Sequence, residues 1–508
     1  MSLFQIKSVD SIVAESQCEG QKLNRVLGGF DVTMIGIGAI IGAGIFAMVG
    51  AAAVKGNAGP SLIISLIITS IACGFCALCY AELAAMVPIA GSAYTYTYAT
   101  MGELVAWVIG WDLILEYAIG NVAVAISWAG YFNDFLKSII GVDIPIWLRI
   151  DYNTFFARAA EYAAAVTNGD AGAMAALKMY DPALVPHILG IPVVINLLAV
   201  SITAALTWLL IKGIKESTRF NSWMVGIKLA VLAIFIGFGF YYFNPDNWTP
   251  FAPGGWTGIQ AGAAYIFFAY IGFDAVSTVA EETKNPARDM PIGIIGSLVV
   301  CTIIYILVAV VLTGMMPFTE MKLKIAEPLV AGLEYNHASR WLIGLVSLGA
   351  VVATTAVLLV FQMGQPRIFF SMSRDGLLPK YFARVHPVYK TPHITTIWTG
   401  IFVGVFSAFF SLELMAELCN IGTLFAFVLV CVGVLILRHR EPDRPRPFRA
   451  PGGVFTPLLG IGFCLYLMMG LGKLTWLSFL GWLAVGLVIY FAYGYRHSKL
   501  RLNAAACK

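Results

Sequence analysis

Apolar segments long enough to cross a lipid bilayer recur along this chain from one end to the other. A helix needs about 20 mostly apolar residues to cross the roughly 30 Å hydrocarbon core. Backbone polar groups cannot stay unpaired in lipid, so each segment is expected to be a helix. We therefore predict an all-α membrane protein with twelve transmembrane helices, called spans 1 to 12 below. In order, the spans cover residues 31–54, 61–86, 103–133, 187–211, 221–243, 258–279, 292–316, 340–370, 394–411, 415–437, 456–472 and 475–494.

The composition excludes a water-soluble protein, because 59% of the 508 residues are hydrophobic and only 12% are charged. Soluble domains carry roughly 25% charged residues. The spans form one domain, residues 30–494, between an N-terminal tail (1–29) and a C-terminal tail (495–508). The N-terminal tail has no secretory signal pattern and is expected to begin with an amphipathic stretch. Residues 138–186 are too polar to cross the membrane and predict a loop with some helix of its own.

The distribution of Lys and Arg predicts the orientation, because these residues concentrate on the cytoplasmic side of membrane proteins. With the N-terminus inside, the inner segments hold 22 basic residues and the outer segments hold 9. Both tails are therefore expected in the cytoplasm and loop 138–186 outside, in a plasma membrane or a bacterial inner membrane. The basic, proline-rich segment 438–449 falls on the inner side, where we expect it to meet lipid headgroups rather than nucleic acid.

One basic residue, Lys228, belongs to neither side because it lies in the middle of span 5. A charge at the bilayer centre costs at least about 2.5–3.5 kcal/mol. Burial disfavours the charged form of a lysine, so one interpretation is that Lys228 can release its proton. The other is that it is a permanent cation that holds a neighbouring helix.

Glycines interrupt two of the spans at mid-membrane. Span 1 contains Gly36, Gly38, Gly42 and Gly44 within nine residues, and span 6 contains Gly272. Glycine in a helix costs about 1 kcal/mol relative to alanine. The cluster in span 1 indicates either a break or a small-residue packing face. A second interruption in span 6 favours breaks, since transporters with inverted repeats place discontinuous helices at corresponding positions.

The two interrupted spans are five helices apart, and a unit of five helices reverses its direction in the membrane when it is repeated. We therefore predict an inverted 5+5 repeat, with repeat one at residues 30–243 and repeat two at 258–437. The helices within 456–494 are appended.

A break in a helix supplies binding chemistry at membrane depth. Free N–H groups at the start of a half-helix attract an anion, and free carbonyls at the end of the other half attract a cation. A zwitterionic amino acid offers one of each, so the two breaks predict an amino acid site.

Seven stretches of the sequence resemble a known family. They are IGIGAIIGAGIF (35–46), YAELAAMVPIAGSAYTYTY (80–98), GWDLILEY (110–117), FFAYIGFDAVSTVAEETKNPARDMPIGI (267–294), SRDGLLPKYFARVHPVYKTPH (373–393), NIGTLFAFVLVCVGVLILR (420–438) and EPDRPRPFRAPGG (441–453). The chain resembles the amino acid–polyamine–organocation superfamily, and within it the cationic amino acid transporter family and its bacterial relatives. The motifs cover the chain from end to end in the family's order.

The resemblance implies a LeuT-type fold with discontinuous helices 1 and 6 and proton-coupled uptake of amino acids. The substrate carboxylate would meet the backbone around Ala43 and Gly44. The α-amine would meet carbonyls near Ile40 on span 1 and on span 6, and Phe268 would cover the substrate. The span 6 positions are Phe268, Ala269 and Ile271.

The resemblance also matches Lys228 to a lysine that occupies, in proton-coupled relatives, the place of a sodium ion between spans 1 and 8. The expected neighbours of Lys228 are carbonyls of span 1 and the hydroxyls of Thr354 and Thr355 on span 8. Undiminished proton-coupled uptake by a Lys228→Ala variant would contradict the coupling role.

Intramembrane carboxylates are further candidates. Asp112 and Glu116 are four residues apart, so they share one face of span 3. Glu116 is open to three roles: contact with a cationic substrate, proton relay, or support of a neighbouring helix. Asp274 follows Gly272 and is expected to brace the break or take part in gating, and Glu82 is expected in an ion pair near the cytoplasmic end of span 2.

Cys73, Cys76 and Cys79 repeat every third residue in span 2. This spacing is compatible either with helix packing or with a metal site. A zinc site needs converging ligands, and no histidine is predicted near this group. We therefore expect packing, with no metal and no cofactor.

The expected function is a secondary active transporter that imports L-amino acids by proton symport through alternating access, and not an enzyme. Small neutral amino acids such as alanine are the first choice, and arginine and lysine are the alternative that Glu116 supports. An amino-acid sensor on the same fold is a second alternative, which the short tails disfavour. No filter pattern, Walker loop or nucleophile–base pair favours a channel, a pump or an enzyme. The sequence does not identify a partner subunit.

Overall fold

The computed structural model describes residues 3–7, 25–87, 92–213, 218–389 and 391–506. The amphipathic beginning expected for the N-terminal tail falls largely outside the described residues.

Helices make up nearly all of the regular structure. In the first half of the chain they are α1 (Gly29–Ile40), α2 (Val49–Val54), α3 (Leu62–Met86), α4 (Ser92–Thr100), α5 (Glu103–Phe135), α6 (Tyr152–Asn168), α7 (Ala171–Leu177), α8 (Leu197–Lys212) and α9 (Thr218–Tyr241). In the second half they are α10 (Gly255–Ile266), α11 (Pro286–Met315), α12 (Pro328–Tyr335), α13 (Arg340–Arg374), α14 (His393–Phe409), α15 (Leu412–Arg440), α16 (Phe455–Met469), α17 (Lys473–Ile489), α18 (Tyr495–His497) and α19 (Lys499–Ala506). Two short strands, β1 (His187–Ile188) and β2 (Ile191–Pro192), pair antiparallel with His187 opposite Pro192.

The described residues contain nine helical segments that are long and apolar enough to cross a membrane. Helices α8, α14 and α16 are also apolar but have 16, 17 and 15 residues, a length of about 22–26 Å. These segments fall where the twelve apolar spans were predicted. The expectation of an all-α membrane protein is therefore confirmed.

The predicted start of span 4 at residue 187 is wrong. Residues 187–192 form the β1–β2 hairpin, which turns through Gly190 at a φ of +80°. Helix α8 begins ten residues later, where the Asn196 side chain accepts a hydrogen bond from the Ala199 N–H at 3.0 Å. The error has a physical cause, since a short apolar run does not distinguish a strand from a helix without its cap.

Helix α5 is the central helix of the bundle. Its membrane-crossing stretch is completely buried, between α13 and α15, and α14 and α8 also contact it. Helix α11 and helix α9 both pack against α1, so the broken first helix has neighbours from both halves of the chain.

The polar segment 138–186 contains helices α6 and α7 and its own small apolar cluster, centred on Phe155 and Tyr180. It lies near the end of α5 that contains Asp134. Helix α12, between α11 and α13, lies at the same end and was not predicted.

Both described chain ends lie at the opposite end of the bundle, around Glu103 in the first turn of α5. The N–H of Glu103 donates to the Gln5 carbonyl at 3.0 Å. Its buried carboxylate accepts from Arg501 Nε at 2.7 Å, Tyr490 Oη at 2.8 Å and the Ser498 hydroxyl. The two ends of the chain are therefore on the same side, as the basic-residue distribution predicts.

Candidate functional site

The first helix is broken after Ile40. Ile41 is extended, with φ −75° and ψ 101°, and a new helical stretch begins with a π-helical turn at Gly44–Met48 that continues into α2. The carbonyl end of α1 and the N–H end of the second half-helix therefore meet at the same point. Such ends carry unpaired backbone groups and opposite partial charges.

The helix that follows α9 is broken in a similar way. After α10 the chain forms a tight turn at Phe267–Tyr270, Ile271 is extended, and Gly272 takes a φ of +122° that side chains rarely adopt. The Asp274 carboxylate accepts a hydrogen bond from the Gly272 N–H at 3.1 Å, so it stabilises the backbone at the break. A short 3₁₀ helix, Ala275–Glu282, follows.

The two breaks are in direct contact. A Cβ added to Gly44 would lie only 2.7 Å from Ala269 Cβ, and one added to Gly272 would lie 2.7 Å from the Ala39 carbonyl oxygen. Ordinary contacts at a Cβ begin near 3.4 Å. Glycine is thus needed at both positions for the backbones to approach each other.

A tyrosine joins the two breaks. Tyr305 on α11 is buried, and its hydroxyl oxygen lies 2.9 Å from the carbonyl oxygens of both Ile40 and Ala269. A hydroxyl has one proton, so it donates to one carbonyl at a time. Two carbonyls from different half-helices therefore converge on one point.

Lys228 on α9 is fully buried and donates to the carbonyls of Gly38 at 2.8 Å and Ile41 at 3.1 Å. These carbonyls belong to the last turn of α1 and to the break itself. The expected contact between Lys228 and span 1 is therefore present in the structure.

The two threonine hydroxyls that were expected near Lys228 on span 8 form hydrogen bonds within their own helix. Thr354 donates to the Ala350 carbonyl at 2.7 Å, and Thr355 donates to the Val351 carbonyl at 2.7 Å. Thr355 also accepts from Trp128 Nε1 at 2.9 Å. Both hydroxyls donate to a carbonyl one turn earlier in their own helix, and the expected proximity of Thr354 and Thr355 to Lys228 stays a prediction.

Comparison with known proteins identifies the family. Residues 27–491, which include both breaks and Lys228, match the model of the amino acid permease family. The chain belongs to this family. It is thus an integral, multi-pass membrane permease of the amino acid–polyamine–organocation superfamily, and the resemblance inferred from the seven motifs is confirmed.

Two curated relatives align with this permease over almost its whole length. It is 45% identical to the branched-chain amino acid permease of Bacillus subtilis and 43% identical to the methylthioribose transporter of the same organism, with 98% of this chain and 99% of each relative aligned. It is 37% identical to the vacuolar cationic amino acid transporter 2 of Arabidopsis thaliana, over 88% of this chain and 65% of the relative. The relatives' names are those of transporters and not of enzymes.

The remaining predicted positions surround the breaks of the permease. Ala43, Phe268, Ala269 and Ile271 are all buried, and Gly42 packs so closely on α13 that an added Cβ would lie 3.2 Å from the Val357 Cβ. The predicted backbone positions are therefore close together in the fold.

Glu116 is buried on α5, and the charged groups that act on it are Asp274 and Asp112. It belongs to the span 6 side of the site rather than to the Lys228 side. Among the described residues, both Asp112 carboxylate oxygens are buried without a hydrogen-bond partner. Span 3 therefore carries two buried carboxylates, of which Glu116 interacts with Asp274 and Asp112 faces Gly422 of α15.

The ion pair predicted for Glu82 is present. Its carboxylate accepts from Arg438 Nε at 2.9 Å and from the Ala450 N–H at 2.8 Å, and Arg446 lies 3.5 Å away. Two arginines of the basic segment 438–449 thus neutralise a carboxylate of α3.

The described part of the chain contains no group of three or more His, Cys, Asp or Glu side chains placed to hold a metal ion. Cys76 instead meets Cys464 of α16, with the two sulfur atoms 3.4 Å apart.

Sequence reasoning missed two tyrosines at the site. Tyr305 was hidden in an apolar span, and Tyr131 on α5 donates to the Phe46 carbonyl at 2.5 Å. A hydroxyl inside a membrane helix needs a partner. That requirement was the available signal, but it did not identify the partner.

Proposed function

We propose that this permease is a secondary active transporter that imports L-amino acids by proton symport through alternating access. The proposed architecture has twelve transmembrane helices in a LeuT-type inverted 5+5 repeat, with two helices appended. Both chain ends would be cytoplasmic.

The main observation behind the proposed amino acid site is the direct contact between the two helix breaks. The half-helix that begins at Gly44 offers N–H groups to a carboxylate, with Ala43 at its start. The carbonyls of Ile40 and Ala269, which converge on one hydroxyl, offer a place for an ammonium. An α-amino acid has these two charges on neighbouring atoms, so it matches the backbone without a charged side chain from the protein.

Lys228 is the proposed coupling residue, because its buried ammonium is bonded to the last turn of α1 and to the first break. Loss of its proton would weaken two charge-assisted hydrogen bonds, each worth about 1.5–3 kcal/mol. The geometry of the amino acid site would then change with the protonation of Lys228.

The proposed substrates are neutral L-amino acids, a choice that the similarity to a branched-chain amino acid permease supports. Arginine and lysine are the alternative, since the buried carboxylate of Glu116 is available to a cationic side chain. The methylthioribose transporter among the relatives adds a third outcome, an uncharged thio-sugar that would not use the pair of charged ends.

Uptake into proteoliposomes with an imposed proton gradient tests both parts of the proposal. Labelled L-leucine uptake should need the gradient, and each of the twenty amino acids and methylthioribose should be tested as competitors. Competition by methylthioribose alone would contradict the substrate class, and a strict sodium requirement would contradict the coupling.

The variant Lys228→Ala separates coupling from a structural role. It should retain exchange of internal for external leucine but lose gradient-driven uptake. Loss of both activities in a folded variant would indicate a permanent structural cation. Lys212→Ala is the matched control, because Lys212 ends α8 and stacks on Trp208 away from the break.

A further inference from the structure

A buried carboxyl group on α5 has no part in the proposed transport mechanism. Asp112 is 0% exposed and lies about 14 Å along the helix axis from Glu103, in the first turn of α5. Neither of its carboxylate oxygens has a hydrogen-bond partner among the described residues. Buried polar side chains are normally hydrogen-bonded, so this exception requires an explanation.

The titratable groups around Asp112 offer it no counter-charge. They are Glu116, one turn later on α5, Cys419 on α15, and Tyr94 on α4, which contacts α5 at Gly110. All three are acids, so none of them can balance a carboxylate. No cation among the described residues acts on Asp112.

The basic residues of the helices that pack against α5 lie elsewhere. Arg367 on α13 acts on Tyr117 rather than on Asp112. The other basic residues of α8, α13, α14, α15 and α17 are in the first or last turns of those helices. An ionised Asp112 would therefore be a buried charge without a partner.

The backbone that Asp112 faces offers hydrogen-bond acceptors and not donors. A Cβ added to Gly422, inside α15, would lie 2.7 Å from Asp112 Oδ1, so this glycine lets the carboxyl group approach the α15 backbone. The N–H groups inside a helix are already bonded to carbonyls, whereas each carbonyl oxygen keeps a second lone pair. A protonated carboxyl group can donate to such an oxygen, but a carboxylate is repelled by it.

We infer that Asp112 is a proton-binding site and that the bound proton keeps α5 packed against α15. Without a hydrogen bond or a cation, a buried carboxylate is far less stable than the neutral acid. Loss of the proton would drive the charge toward water and separate the two helices near Gly422. The Cys419 thiol of α15 lies 3.4 Å from the Glu116 carbonyl oxygen, so this separation would also disturb the Glu116 side of the amino acid site.

This proton differs from the one proposed for Lys228. It acts as a ligand that the folded transporter needs, and its release would stop transport at alkaline pH. The inference goes beyond the proposed function, because it does not require that the Asp112 proton be carried across the membrane.

Infrared spectra of the full-length protein in lipid test the protonation directly. Asp112→Asn is the test variant, because asparagine is neutral and has nearly the shape of the protonated acid. At neutral pH the variant should lack one carbonyl band of a protonated carboxylic acid that the unmodified protein shows. Asp170→Asn is the matched control, because Asp170 is exposed and caps α7; it should leave the band in place.

Gly422→Ala is a second test variant that keeps Asp112 and displaces its carboxyl group from α15. It should shift the frequency of the same band without removing it, which decides the question even if Asp112→Asn folds poorly. Acid bands that are unchanged in both variants would overturn the inference.

Leucine exchange in proteoliposomes, at equal internal and external pH, tests the effect on transport without a proton gradient. The unmodified protein should lose exchange at alkaline pH, about tenfold for each pH unit above the point at which Asp112 releases its proton. Asp112→Asn should keep exchange over that range, whereas Lys228→Ala should follow the unmodified protein.

The outcomes separate this inference from the proposed function. Identical pH profiles for the unmodified protein and Asp112→Asn would overturn the inference and leave the proposed function intact. Absence of amino acid exchange at every pH would overturn the proposed function, and the infrared band would then decide the protonation of Asp112.

Discussion

The contact between Gly44 and Ala269 makes Gly44→Ala the most informative single change in the molecule. The new methyl group would lie 2.7 Å from Ala269 Cβ and 2.9 Å from Ala269 N. The second of these atoms is backbone, so no side chain can rotate away. The Ala269 Cα lies closer still, so the half-helices would have to separate by roughly 1 Å, and overpacking of this kind costs roughly 1–3 kcal/mol, occasionally more.

We expect Gly44→Ala to fold with a lower melting temperature and to lose most of its transport. Misplacement of reacting groups by about 1 Å is associated with losses of roughly a hundredfold in enzymes, and we expect a loss of that order here. The assay is initial-rate leucine uptake by proteoliposomes, normalised to reconstituted protein, together with a thermal melt in detergent.

Gly226→Ala is the matched control, because Gly226 lies on α9 and an added Cβ would meet nothing within 4 Å. It should transport like the unmodified protein, with equal or higher stability since alanine favours helix. Unimpaired uptake by Gly44→Ala would refute the view that the two breaks must touch to form the site.

Three further results are expected. Tyr305→Phe should lower the free energy of unfolding by about 1–3 kcal/mol, because two buried carbonyls lose their hydroxyl, and added substrate should restore part of the loss in a thermal melt. Asp274→Ala should impair uptake and stability more than Asp274→Asn, which keeps an oxygen for the Gly272 N–H; equal effects of the two would contradict the bracing role. Burial, with the nearby Asp134 carboxylate, raises the pKa of Glu327 from its ordinary 4.5 to about 7. The stability that its protonated form supplies is present below pH 4.5 and is lost as the pH rises through 7. Glu327→Gln should therefore raise the free energy of unfolding at pH 8.5 by up to about 3 kcal/mol but leave it unchanged at pH 4. The control is Glu161→Gln, at an exposed position. A difference in stability that does not depend on pH would contradict the prediction.

The breaks and the buried lysine were predictable because they violate local rules. Glycine at mid-membrane weakens a helix, and a cation there has no access to water, so Gly44, Gly272 and Lys228 are conspicuous in the sequence alone. The helical character of the spans follows from the need to pair backbone groups in lipid.

The partners of these groups were not predictable, because they depend on how distant helices pack. The hydroxyls of Thr354 and Thr355 donate hydrogen bonds within α13. Tyr305 contacts both breaks from α11, an apolar helix whose sequence gave no indication of a binding role. The start of α8 depends on a cap at Asn196. The hairpin before Asn196 cannot be inferred from hydropathy.

The attachment of both chain ends to Glu103 has a mechanical consequence. A force applied between the two ends acts first on the contacts around Glu103, in the first turn of α5, rather than across the whole bundle. The contacts of Arg501 and Gln5 with Glu103 should break before any membrane helix is extracted. A fusion partner on either end would therefore pull on the same point, at the base of a helix whose membrane-crossing stretch is buried throughout.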